Sequence, residues 1–125
     1  MTREITEDMF LCPCGKCGQT VKPVPELLTS IKNLQTGLLF KLEITSGVRC
    51  EAHNKAVGGS PGSKHLTGEA CDIKINDSQS AYSILRLAVC SRFLKFFELC
   101  PQHLHVDVRQ GPSRIITGAS THGAK

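Results

Sequence analysis

No stretch of this chain holds the run of about 18 apolar residues that a membrane-spanning helix requires. No spacing recurs at a fixed period, which excludes collagen, coiled coils and repeat arrays. Basic residues are not gathered: 15 Lys and Arg against 11 Asp and Glu leave a net charge of +4, spread along the chain. A nucleic-acid footprint would want them on one face or in one run. A solvated surface accounts for the surplus, and attraction to an anionic surface fits it too. Tryptophan is absent and aromatics make up 5% of the residues. Phe93, Phe96 and Phe97 are read as core rather than as a platform for stacked bases. Met1 to Asp8 contains no apolar segment and carries acidic residues, so it does not read as a secretory signal peptide. The expectation is a chain made in the cytoplasm, with any outside target reached only after release.

Cysteine is the exception to this scarcity. There are seven, an odd number, so they cannot all pair within one chain. Without a signal peptide, free thiols or metal ligation are the defaults. The 125 residues suit one domain with its own hydrophobic core, and 40% hydrophobic with 21% charged residues is an ordinary globular composition.

Residues 1–23 read as an irregular segment around Cys12-Pro13-Cys14-Gly15-Lys16-Cys17-Gly18, packed on the domain. Pro23-Val24-Pro25 leads into a helix whose Leu27, Ile31, Leu34 and Leu38 share one face. Leu42 to Ile44 alternates as a short strand, stopped by Ser46-Gly47. Residues 50–64, with Gly58-Gly59-Ser60-Pro61-Gly62-Ser63, read as a loop. Ala70 to Ile75 reads as a strand. Asn76-Asp77-Ser78 offers caps for a second helix, with Ile84, Leu85, Ala88 and Val89 on its apolar stripe and an end near Arg92. Phe93 to Leu99 and His103 to Val108 read as strands; in the latter Leu104, Val106 and Val108 oppose His103, His105 and Asp107. Residues 24–110 form the domain, and the Gly-, Ser- and Thr-rich stretch 111–125 reads as a tail. The fold class is α+β: a small, mostly antiparallel sheet with two main helices.

Two segments point to chemistry. Alternate residues on a strand lie about 6–7 Å apart, so His103-x-His105 can set one imidazole on a metal and the next beside it. Asp107 could orient a ring nitrogen of His105. Two surface histidines on an edge strand would give the same pattern. The other segment runs from Ser63 to Asp72: His65 leaves a Gly-rich loop, and Asp72 follows inside a strand expected to be buried. Aspartate is seldom buried unless paired or bound to metal. His65, Asp72 and His105 together make a catalytic type of zinc set, three protein ligands with one position open for water.

Four stretches then carry a resemblance. Ser46-Gly47-Val48-Arg49-Cys50, His53 to Gly59, Ser63 to Asp72 and His103 to Val108 occur in the order found in the zinc D-Ala-D-Ala carboxypeptidases, peptidase M15. This part of the chain, about residues 24–109, resembles the small phage and bacterial peptidoglycan peptidases, which share their fold with the Hedgehog signalling domain. Phe10 to Gly18 is similar to the cysteine-glycine opening of such members. The resemblance implies His65, Asp72 and His105 as zinc ligands and Arg49 as the group holding a substrate carbonyl or oxyanion. It implies His103 beside the metal's water, Ser63 at the substrate and Glu98 as the catalytic carboxylate. Some relatives place that glutamate three residues before the last ligand, where this chain has Gln102.

The implied function is metal-assisted hydrolysis of an amide in peptidoglycan stem peptides, either trimming terminal D-Ala or cutting between L-Ala and D-Glu. The implied setting is an endolysin-like phage or prophage enzyme acting on the cell wall after lysis. It is expected to be a monomer with no nucleic-acid or membrane partner. The alternative is a zinc-binding Hedgehog-like interaction domain without catalysis. Cys12, Cys14 and Cys17, with Cys50, offer a second, structural zinc site; reduced thiols in a Gly-rich turn are the preferred reading. Cys71, Cys90 and Cys100 are read as small buried residues, and His53 and His122 as surface.

Overall fold

In a computed structural model, which describes residues 4–118, five strands and three α-helices form an α+β fold. The helices are α1 (Pro25–Thr36), α2 (Glu51–Ala56) and α3 (Ser78–Ala88). The strands are β1 (Ile44–Ser46), β2 (Ala70–Lys74), β3 (Phe96–Leu99), β4 (His103–Asp107) and β5 (Arg114–Thr117). They make one sheet in the order β1-β2-β4-β3-β5, antiparallel except where β5 runs parallel to β3. None of the described helices is long and apolar enough to cross a membrane.

The period-two pattern of the strands sorts the sheet into an apolar and a polar face. Cys71 and Ile73, Phe97, and Leu104 and Val106 join Leu27, Ile31 and Leu34 of α1 and Ile84 and Ala88 of α3 in one core. Asp72, Glu98, His103 and His105 therefore point the other way. Pro25 stands in the first turn of α1, where its missing N–H costs nothing. Asp77 caps α3: its Oδ1 accepts the Ser80 N–H at 2.7 Å, and Ser80 Oγ accepts the Asp77 N–H at 3.2 Å. The N-terminal segment contributes Ile5 and Phe10 to the same core.

Several expectations need correction. The supposed loop 50–64 begins with α2, capped by the Cys50 sulfur. The first strand lies at Ile44–Ser46 rather than Leu42–Ile44. Leu42 is buried, but its N–H goes to Gln35 Oε1 at 2.8 Å instead of to a neighbouring strand. The helix α3 stops at Ala88, followed by turn bonds from Cys90 N to Leu87 O and Ser91 N to Ala88 O, and β3 starts only at Phe96. The tail reading of 111–125 fails for Arg114–Thr117, which pair with β3 and supply its outer hydrogen bonds. Cys71 and Cys100 are buried as expected, whereas Cys90, in the turn after α3, is exposed. His122 lies outside the described residues.

Candidate metal centre

Strand register assembles the polar face. Asp72 on β2 pairs with His105 on β4, which pairs in turn with Glu98 on β3. Ser46 on β1 stands opposite Asp72 on the other side. One rung across the sheet thus carries Asp72, His105 and Glu98 side by side. His65 enters from a short 3-10 turn (Lys64–Thr67) capped by Ser63, whose Oγ accepts the His65 N–H at 3.1 Å.

The ring nitrogens are assigned by their partners. His65 Nδ1 donates to the Gly47 carbonyl at 2.6 Å. Its Nε2 then carries a lone pair, is fully buried and has no hydrogen-bond partner among the described residues. That atom lies 3.3 Å from Asp72 Oδ1. His105 directs Nε2 to Asp107 Oδ2 at 2.9 Å and Nδ1 to Asp72 Oδ1 at 3.0 Å. One donor atom from each of His65, Asp72 and His105 falls within 4.8 Å of the other two. A buried, unpartnered imidazole nitrogen aimed at a carboxylate and a second imidazole is what a divalent metal with nitrogen and oxygen ligands satisfies.

Opposite charges hold the three side chains together. Burial disfavours the Asp72 carboxylate, but the hydrogen bond from His105 and the closeness of the His65 ring outweigh it and hold its pKa well below the usual range. Burial likewise works against a charged His105, yet its bonds to Asp107 and Asp72 push its pKa up to about 9. Asp107 is fully buried and clamped by Arg109, with Nε to Oδ1 and Nη2 to Oδ2 both at 2.8 Å. Arg109 therefore holds the carboxylate that holds His105.

Beside this centre opens a cleft of roughly 290 Å³, lined by Ser63, Lys64, Phe96, Glu98, His103, His105 and Arg109 among others. Glu98 thus faces the cleft on the ligand rung, whereas Gln102 is exposed in the turn before β4. His103 lies in the cleft with Nε2 3.8 Å from Asp72 Oδ2. Arg49 reaches the same Asp72 oxygen from a buried position. It is 3% exposed, donates from Nε to Ser46 Oγ and from Nη1 to Asn54 Oδ1, both at 3.1 Å, and sets Nη2 3.6 Å from Asp72 Oδ2. His53 is partly exposed on α2.

Residues 3–107 match the family model of peptidase M15. The chain belongs to the peptidase M15 family. No curated protein gives a significant match. The M15 assignment spans every element that supplies the centre, from the Gly47 carbonyl to His105.

Sequence reasoning overlooked three features of this M15 site. Arg109 extends the alternation of residues 103, 105 and 107, and that spacing could have flagged it. Phe96 is buried but not in the core: it faces the cleft with its ring 5.9 Å from that of His105 and the Arg109 guanidinium 3.7 Å above it. Gly118 lies against Glu98, where an added Cβ would come 2.5 Å from Glu98 Oε2. Only the β3–β5 pairing places it there, so nothing local signalled it.

Proposed function

We propose that this M15 domain is a zinc peptidase that hydrolyses an amide bond in peptidoglycan stem peptides, acting on the cell wall once released from the cell. The observation that best supports it is the position of Glu98, on the same sheet rung as the ligand set and open to the cleft. A binding-only domain has no need of a carboxylate at that place.

His65, Asp72 and His105 would hold the ion through Nε2, a carboxylate oxygen and Nδ1. Zinc so held supplies Lewis acidity, which acidifies water and polarises a carbonyl. The Glu98 carboxylate takes a proton from the attacking water, whose oxygen adds to the scissile carbonyl carbon. As the C–N bond breaks, Glu98 returns that proton to the leaving amine, giving a carboxylate and an amine. No cysteine acts as nucleophile. His103, in the cleft, is placed to donate to the oxyanion. Arg49 acts through Asp72: its buried guanidinium keeps one carboxylate oxygen turned away while the other faces the two histidines. It is a positioning residue in this reading. Ser63 caps the turn that carries His65 and lines the cleft, and Lys64 and Arg109 give the cleft cations suited to a peptide that carries free carboxylates.

The test is mass spectrometry of purified peptidoglycan digested by the zinc-loaded protein, with a chelated control. Chelator-sensitive new termini are expected, and their masses distinguish release of D-Ala from cleavage after L-Ala. An unchanged digest across several wall types, with zinc bound, would replace this reading by the Hedgehog-like zinc-binding domain.

A further inference from the structure

A second cluster of metal-ligating side chains lies outside the peptidase centre. Cys12, Cys14 and Cys17 of the N-terminal segment meet Cys50, the residue that caps α2, and their four sulfurs all lie within 4.8 Å of one another. None of the four is in a disulfide. Cys14 Sγ and Cys50 Sγ are 3.7 Å apart. Tetrahedral zinc with Zn–S bonds near 2.3 Å requires sulfurs about 3.8 Å from one another. A disulfide would need about 2 Å.

The backbone around the cluster is arranged for thiolates. Each sulfur lies at 3.4 Å from a backbone N–H: Cys12 from Cys50, Cys14 from Lys16, Cys17 from Gln19 and Cys50 from His53. Such donors favour the thiolate over the thiol, and the thiolate is the form that binds metal. Two of these bonds come from tight turns that return the N–H of residue i+2 to the sulfur of residue i. The residue after each of those cysteines, Gly15 at φ 76° and Gly18 at φ 77°, is left-handed. Glycine takes that conformation without steric cost.

We propose that Cys12, Cys14, Cys17 and Cys50 bind a structural zinc ion that fastens the N-terminal segment to the loop behind the peptidase centre. Four thiolates close the tetrahedron and leave no position for water, which marks a structural and not a catalytic ion. Binding displaces the thiol protons and involves no change of oxidation state. The fastening acts where it matters. Val48 N–H donates to the Phe10 carbonyl at 2.7 Å, and a Cβ at Gly47 would lie 2.5 Å from that same oxygen. Gly47 is the residue whose carbonyl orients His65. The proposal stands on the cysteine geometry and holds whether or not the His–Asp centre is catalytic.

The experiment is cobalt substitution of the full chain purified under reducing conditions, read by absorption and by metal content. Cobalt bound by four thiolates gives intense near-ultraviolet sulfur-to-metal charge transfer, which a site of histidines and aspartate lacks. That band is expected in the wild-type protein, persisting in His65→Ala and lost with one metal equivalent in Cys17→Ser. The N-terminal segment of Cys17→Ser should also become cleavable by added protease. Absence of the band in cobalt-loaded wild type would overturn the proposal, and this reading requires no variant to fold. So would a native mass two hydrogens lower, marking a Cys14–Cys50 disulfide, or purification of the protein with iron in place of zinc.

Discussion

His65 Nε2 is the atom on which the metal assignment turns. Its partner nitrogen is committed to Gly47, and burial denies it water. His105 depends on a further residue, because Asp107 takes one of its nitrogens and leaves the other facing Asp72. Asp107→Asn removes the charge that orients this ring and breaks half of the Arg109 clamp. Zinc affinity should then fall by about 10- to 100-fold, measured by competition with a chromophoric chelator. An unchanged affinity would show that His105 needs no orienting anion.

Glu98 owes its place to two strands. β4 sets it beside His105, and β5 carries the chain on to Gly118, whose N–H bonds the Leu99 carbonyl at 2.8 Å. Gly118→Ala would crowd the Cys100 sulfur and the Glu98 carboxylate, neither of which is a ligand. Turnover on the stem peptide should drop toward that of Glu98→Gln, itself about two to four orders of magnitude down, while zinc content stays at the wild-type level in both. Loss of zinc in Gly118→Ala would mean that the strand, not the carboxylate, had moved. α3 offers a pH test of its own. The Ser80 N–H and hydroxyl favour the Asp77 carboxylate, so its folded pKa is lowered. The cap is therefore at full strength above the ordinary aspartate value of about 3.9 and is lost as pH falls through the lower folded value. Asp77→Asn keeps the acceptor and removes the titration. Its Tm should consequently fall less than that of wild type across this acid window, as followed by circular dichroism.

The domain is closed by segments far apart in the chain. The N-terminal segment brings Phe10, fully buried, into the common core, and β5 covers the outer edge of β3. Phe10→Ala should cost about 3–5 kcal/mol, read by urea unfolding of the metal-loaded protein. A loss well under 1 kcal/mol would mean that the N-terminal segment rests on the domain without belonging to its core. Ile5 and Phe10 anchor the chain in this core just ahead of the cysteine segment.

Local chemistry was enough to read much of this molecule. Alternation in His103–Asp107 assigned each residue to its face, because a strand turns successive side chains to opposite sides. The spacing of Leu27, Ile31 and Leu34, and the Asp77 cap, marked the two long helices for similarly local reasons. His65, Asp72 and His105 could be named as a ligand set from residue type and expected burial. Other features depend on contacts between distant segments, and no spacing encodes those. Composition hid β5, since a strand of four residues in a Gly- and Ser-rich stretch acquires its structure from β3. Arg49 was assigned to substrate by resemblance; that its guanidinium is buried against Asp72 follows from how the β1–α2 loop packs. Residue types alone left Cys12, Cys14, Cys17 and Cys50 as reduced thiols; bringing Cys50 to the other three across more than thirty residues required the fold. Side-chain type and period fix what a residue can do and which way it faces, while register and packing fix what it meets.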